Sequence, residues 1–409
     1  MPLAEQADRG PRRADWMGDF ASANRCSSNF MRPSTGPSTQ ERFMKMAFPS
    51  RRRLMAPAVA AGVLAPLLVV PTAGASSVPL VGNCSQRAEA VSYSDSLDKA
   101  TTVDGIGVGG LSAITYDKVS RSYATVVDRS GTQPARLMFV RDGHTPQVIK
   151  TTALKRADGT ALDGTNFDGE ELAVLPDGTF LVSSEAEPSI RVFGRDGVQR
   201  GELPVPGRFR VTPAGEAPEN ATLEGLTISP DGKYVYAAME GTLAGDAPSN
   251  GEVARHRVLV YRADGRGGYR LARQFGYQAD RGNRIAEVTA YGDGRLVFLE
   301  AAFTSGVGNT ARVYAVTGAN RATDVSGVQN LSTVPHRGLV EKQPVADLAN
   351  CPTLGAPGKQ PQLNPLLENF EGLAVEPGRG ARHRLLLISD DNFGANQTTR
   401  ILRIDARLP

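Results

Sequence analysis

Acidic side chains stand at the outer ends of a repeated strand–turn–strand pattern. In LEGLTISPDGKYVYAAME, Glu224 and Glu240 flank two apolar runs whose midpoint, Gly232, lies in a Pro-Asp-Gly turn. The ends of an antiparallel hairpin farthest from its turn lie side by side, so these two carboxylates should meet. EELAVLPDGTFLVSSE sets Glu171 and Glu185 about Gly178, and EVTAYGDGRLVFLE sets Glu287 and Glu300 about Asp293-Gly294. EGLAVEPGRGARHRLLLISD sets Glu371 and Asp390 about Gly380, with Asp391 next in line. GLSAITYDKVSRSYATVVD keeps only the far acid, Asp128. Carboxylates gathered this way raise one another's pKa unless something positive sits among them. Hard divalent cations prefer oxygen donors, and Ca2+ accepts many of them in loose geometry. The metal-ligand candidates are therefore Asp128, Glu171, Glu185, Glu224, Glu240, Glu287, Glu300, Glu371, Asp390 and Asp391. The plainer alternative is that each acid caps a strand, bonds nearby backbone amides or pairs with an arginine.

Five such hairpins in one chain imply repetition, and each is followed by further strand-like runs. These include Arg136–Val140, Ser189–Phe193, Arg257–Tyr261 with Tyr269–Arg273, Ala311–Val316 and Arg400–Ile404. No amphipathic helix of three turns follows residue 75. Repeated four-stranded units of this size indicate an all-β fold, a β-propeller whose innermost strands line a central channel. A blade of about 50 residues leads us to expect six blades, the sixth built from less regular sequence near the two ends. The acids would then ring one end of the channel. Glu171, Glu224, Glu287 and Glu371 form the inner set. Asp128, Glu185, Glu240, Glu300 and Asp390 or Asp391 form the outer one. Val340 to Leu367 reads as a loop.

The chain before the repeats has another purpose. Residues 1–43 lack apolar periodicity and read as a disordered leader or a mis-assigned start. In residues 44–75, Ser50-Arg51-Arg52-Arg53 precedes an apolar run from Leu54 to Val70 and a small-residue cleavage site at Ala73-Gly74-Ala75. That is an export signal, of general or twin-arginine type, which places the mature protein outside the cell or at its surface. The apolar run is too short for a permanent span. The first 75 residues carry 10 of the 46 basic and 5 of the 43 acidic side chains, which leaves the remainder at a formal net charge of −2. No basic run remains to track a phosphate backbone, so nucleic acid is excluded as a partner. Residues 76–104 form a lead-in with one strand, Ala88–Tyr93, and 105–409 hold the propeller. Cys84 and Cys351 are an even pair in an exported chain, read as a disulfide, with two buried thiols as the alternative.

Other hydrolytic chemistries lack their parts. There is no G-x-S-x-G elbow, and His144, His256, His336 and His383 lie outside the repeat motifs, which disfavours a serine triad or a histidine zinc site. The sequences EGLTISPDGKYVYAAME, EVTAYGDGRLVFLE, FEGLAVEP, LLLISDDNF and GGLSAITYD resemble the phytase-like family of exported bacterial proteins with esterase-like activity. The resemblance covers residues 105–409, departing from the pattern at LEAAF and at DGEEL. It implies a propeller and a metal-dependent ester or phosphoester hydrolase. A weaker likeness joins the Glu-Gly hairpins to calcium-dependent gluconolactonase-type propellers.

The resulting expectation is a calcium-dependent hydrolase of a small anionic phosphate or carboxylic ester, acting as a monomer. Glu224, Glu300 and Asp391 are the catalytic candidates, with Arg129 and Asn392 contacting substrate. The alternatives are a non-enzymatic, calcium-stabilised binding propeller and a lactone hydrolase.

Overall fold

The computed structural model describes residues 84–102, 104–128, 131–247 and 253–409. The leader, the export signal and Arg129 lie outside the described residues. Among the described residues no helix is long and apolar enough to cross a membrane.

The described chain forms five antiparallel four-stranded sheets. Blade 1 holds β2 (Thr115–Asp117), β3 (Ser122–Val126), β4 (Arg136–Arg141) and β5 (Gln147–Ala153). Blade 2 holds β6 (Gly169–Val174), β7 (Phe180–Ser184), β8 (Ser189–Phe193) and β9 (Gln199–Leu203). Blade 3 holds β10 (Leu223–Ile228), β11 (Tyr234–Met239), β12 (Arg255–Ala263) and β13 (Tyr269–Gln278). Blade 4 holds β14 (Arg284–Gly292), β15 (Arg295–Thr304), β16 (Gly308–Val316) and β17 (Lys342–Asp347). Blade 5 runs β18 (Phe370–Glu376), β19 (Arg382–Ser389), β20 (Ile401–Arg407) and, outermost, β1 (Ala88–Ser94).

Blades have two apolar faces because each is sandwiched between neighbours, and the core divides accordingly. One apolar cluster fills each of the five gaps. Val126, Leu137 and Phe139 meet Leu172 and Phe180 between blades 1 and 2. Leu181 and Ile190 meet Leu226 and Leu259 between blades 2 and 3. Tyr236 and Val260 meet Val288 and Phe298 between blades 3 and 4. Val297 and Val313 meet Leu373 and Leu387 between blades 4 and 5. Leu386 and Ile388 meet Ile114 and Met138 between blades 5 and 1. Five gaps filled by five clusters close the ring, and the inner strands β2, β6, β10, β14 and β18 line its axis.

The expected count of six blades is therefore corrected to five. Sequence near the ends does not build another blade. Instead β1 pairs with β20, Ala88 opposite Ala406 and Ser94 opposite Ile401, and supplies the fourth strand that blade 5 would otherwise lack. A Cys84–Cys351 disulfide fastens the segment before β1 to the chain just after β17. The stretch Val340–Leu367 is also not all loop. Its strand β17 carries Pro344, which has no backbone N–H to donate and fits an outermost strand with one unpaired edge.

The hairpin turns fall where expected. Gly178 and Gly232 adopt φ of 85° and 72°, a left-handed conformation that costs other residues energy. This fixes the turns at one end of the channel and the acidic strand ends at the other.

Candidate active site

Four blades repeat one backbone bond at the acidic end. The amides of Asp128, Glu185, Glu240 and Asp390 donate to the carbonyls of Gly110, Asp168, Thr222 and Asn369, at 2.8, 2.9, 2.7 and 2.9 Å. The inner strands are bulged beside it. Register shifts fall between Leu223 and Gly225, between Phe370 and Gly372, between Ile285 and Glu287, and between Gly169 and Leu172. A bulge re-aims a side chain and is common beside active sites.

Aligning the blades on these features gives two rings. Ser112, Glu170, Glu224, Ala286 and Glu371 occupy the inner ring. Asp128, Glu185, Glu240, Ala301 and Asp390 occupy the outer one. Blade 4 alone has an alanine in both. The Oγ of Ser112 donates to Glu170 Oε2 at 3.1 Å and to Glu371 Oε2 at 3.4 Å, tying blades 1, 2 and 5 together. The structure thus gathers Asp128, Glu185, Glu224, Glu240, Glu371 and Asp390 at one mouth.

Other candidates lie elsewhere. Glu171 and Glu287 occupy the next position along their strands, where blades 3 and 5 have Gly225 and Gly372. A Cβ on Gly225 would meet the Val288 amide at 2.7 Å. Both glutamates are buried, and they hydrogen-bond each other across the channel, one level below the mouth. Glu300 lies in the gap between blades 3 and 4. Its carboxylate accepts from Tyr277 Oη and the Asp280 amide at 2.8 Å each and from Asn283 Nδ2 at 3.0 Å, and it pairs with Lys342. Asp391 pairs with Lys99 and accepts from the amides of Gly110 (2.9 Å) and Phe393 (3.1 Å). Asn392 is exposed, and its amide donates to Asp390 Oδ1 at 2.7 Å.

The surroundings of Glu300 are those of a buried, fully satisfied structural ion pair. Replacing Glu300 by Ala strands part of the Lys342 charge and removes an acceptor from three donors. We expect a loss of about 3 kcal/mol in chemical denaturation, with turnover per folded molecule unchanged.

Three residues at the mouth escaped sequence reasoning: Asp168, Glu170 and Arg284. Asp128, Asp168 and Glu170 each offer an oxygen within 4.8 Å of the others, all three residues being buried. Glu185, Glu224 and Glu240 form a second such group. Arg284 reaches into that second group from blade 4. Its Nη1 lies 2.7 Å from Glu224 Oε1 and 2.9 Å from Glu240 Oε1, and its Nη2 lies 2.7 Å from Glu371 Oε1 and 3.3 Å from Asn369 Oδ1.

Crowding leaves a clear electrostatic mark. Burial, with Asp168 and Asp390 alongside, pushes Asp128 up to about 11. Burial and Glu224 hold Glu170 well above the usual carboxylate range. Burial and Glu240 raise Glu224 despite Arg284, and Glu240 itself is raised to about 7. So many carboxyl groups cannot all ionise at neutral pH without more positive charge among them.

A cavity of about 710 Å³ opens at the opposite, turn-side end of the channel. It is lined by the Pro176, Pro230 and Pro377 turns with Thr115, Thr227 and Thr289. The acid rings lie at the other end of the inner strands, so the carboxylate cluster and this cavity occupy different ends.

Comparison with known proteins follows the same division between fold and chemistry. No curated protein matches the chain. Among solved structures, a virginiamycin B lyase from Staphylococcus aureus aligns at 12% identity and a TM-score of 0.34, over 74% of this chain and 71% of that one. A gluconolactonase from Xanthomonas campestris aligns at 12% identity and a TM-score of 0.33, over 75% and 88%. Likenesses this distant carry no functional weight. The family model described as "Phytase-like: Esterase-like activity of phytase" matches residues 106–393. On that match, which spans most of the propeller and both acid rings, the chain belongs to the phytase-like family.

Proposed function

We propose that the protein is an exported, calcium-dependent hydrolase of phosphate or carboxylic esters, with its metal centre at Asp128, Asp168 and Glu170. The supporting observation is the convergence of three buried carboxylates from two blades, with oxygens within 4.8 Å of one another. The donors are all hard oxygens with no thiol or imidazole among them, which fits calcium better than zinc or copper. Of the ten acids that the repeats single out, this centre keeps Asp128 alone, and it adds Asp168 and Glu170.

When bound, calcium supplies a Lewis acid that polarises an ester oxygen and lowers the pKa of a coordinated water. The chain's own residues do the rest. Asp128, Asp168 and Glu170 would hold the ion. Ser112, donating to both Glu170 and Glu371, orients Glu170 toward it. Asp390, beside Asp128, would take the proton from an attacking water. Glu224 keeps a positioning role through Arg284 rather than touching substrate.

Metal content of the purified protein by mass spectrometry tests the first half. Turnover of p-nitrophenyl phosphate and of short acyl esters, with calcium and after chelation, tests the second. Calcium in the native protein and turnover lost on chelation are the expected results. Metal-free protein, or turnover indifferent to chelation, would overturn the reading.

A further inference from the structure

The geometry points to Arg284 as a built-in cation. Its guanidinium fills a second carboxylate nest that would otherwise take a metal ion, so the mouth binds one ion fewer than its carboxylates could hold. The count of ions rests on the metal reading above; the role of Arg284 does not.

The first support is how the nest is filled. Glu185, Glu224 and Glu240 bring three carboxylate oxygens within 4.8 Å of one another, as close together as the Asp128 group. Here a positive group is already present. Arg284 contacts Glu224 and Glu240 of blade 3 through Nη1, and Glu371 and Asn369 of blade 5 through Nη2, at 2.7–3.3 Å. The two terminal nitrogens make three hydrogen bonds, to Glu224, Asn369 and Glu371, and Nη1 also forms the ion pair with Glu240. The guanidinium is therefore spent as a counter-ion and is not held open for substrate. Three carboxylates around it keep the guanidinium charged.

The second support is the room made for it. Blade 4 is the only blade whose two ring positions are both alanine, Ala286 and Ala301, and both are buried. Two acids there would add negative charge at the level where Arg284 supplies positive charge. Arg284 faces Ala301 in the β14–β15 register, in the position held by Gly110, Asp168, Thr222 and Asn369 in the other blades. At this level of the channel blade 4 carries no ring acid and presents one fixed cation.

Arg284→Gln should open the nest. The probe is calcium, with terbium luminescence as a second readout, titrated into the full chain. We expect one more ion per chain in Arg284→Gln than in the wild type. We expect Arg284→Lys, which keeps a positive charge, to retain the wild-type count. Adding Glu240→Gln to Arg284→Gln should return the count to that of the wild type; an extra ion that survives this change sits elsewhere and overturns the inference. An unchanged count in folded Arg284→Gln also overturns it. If Arg284→Gln folds only when calcium is supplied, the inference stands, and if calcium fails to restore folding, it falls. A wild-type chain without metal would defeat the proposed metal centre alone, leaving Arg284 to be judged on the Arg284→Gln comparison.

Discussion

Glu170→Gln is expected to lower kcat/KM for the best ester substrate by at least about 100-fold and to weaken calcium binding in parallel. The same change should make the metal-free protein more stable. Glu170 is buried beside Glu224, Asp128, Glu185 and Glu371, which hold its pKa well above the usual range, so a neutral amide of the same shape avoids the cost of taking up a proton on folding without metal. Opposite signs for activity and apo-stability separate a ligand from a residue that merely supports the fold, which would lose both. Ser112 could still donate to the amide oxygen, leaving local geometry intact. Steady-state kinetics over a calcium range, with melting curves in chelator, read both quantities. A Glu170→Gln enzyme with wild-type turnover would remove this residue from the metal centre.

The second large effect concerns pH and the Glu171–Glu287 pair beneath the mouth. Burial raises Glu171 from 4.5 to about 8, and burial with Glu171 beside it holds Glu287 well above the usual range. The folded pair therefore retains a proton that the unfolded chain releases near pH 4.5. Stability from this proton is fully present below the unfolded pKa and is lost as pH rises through the folded one. We expect metal-free protein to lose about 1.4 kcal/mol per pH unit for that proton between roughly pH 4.5 and 8. The double variant Glu171→Gln, Glu287→Gln should flatten this part of the profile. Urea denaturation in chelator at a series of pH values checks it, and a wild-type slope unchanged in the double variant would show that the proton resides elsewhere, with Asp128 or Asp390 the nearest candidates.

Hairpin symmetry in the sequence carried most of the fold. Strand Ser189–Phe193 lies where period-two patterning and turn residues put it, and Ala88–Ser94 within one residue, because apolar packing on both blade faces rewards that pattern; the strand expected over Tyr269–Arg273 runs on to Gln278. Blade number was less legible. A strand used as the fourth member of a distant sheet looks the same in sequence as one that starts a new blade. At the site, the limit was a single residue. Glu170 and Glu171 are adjacent, and one step along a strand turns a side chain to the other face. The bulge between Gly169 and Leu172 decides which of them faces the mouth, and a bulge leaves no mark in composition. The same shift sent Glu287 down the channel and Glu300 into the gap between blades. The one available signal was alignment on Leu/Ile-x-x-Leu/Val-Thr, which pairs Glu224 with Ala286 and shows blade 4 to be different. Arg284 carried no signal of its own, since only the fold brings it among carboxylates from both neighbouring blades.

The pairing of β1 with β20 also sets an order for biosynthesis. Residues 88–94 leave the ribosome some three hundred positions before the strand they must join. Until then, blades 1–4 can assemble, but the circle stays open, with the early segment waiting beside an absent partner. Completion is thus deferred to the moment translation delivers Ile401–Arg407. A shortened product lacking those residues would leave the early segment held by the Cys84–Cys351 bond alone.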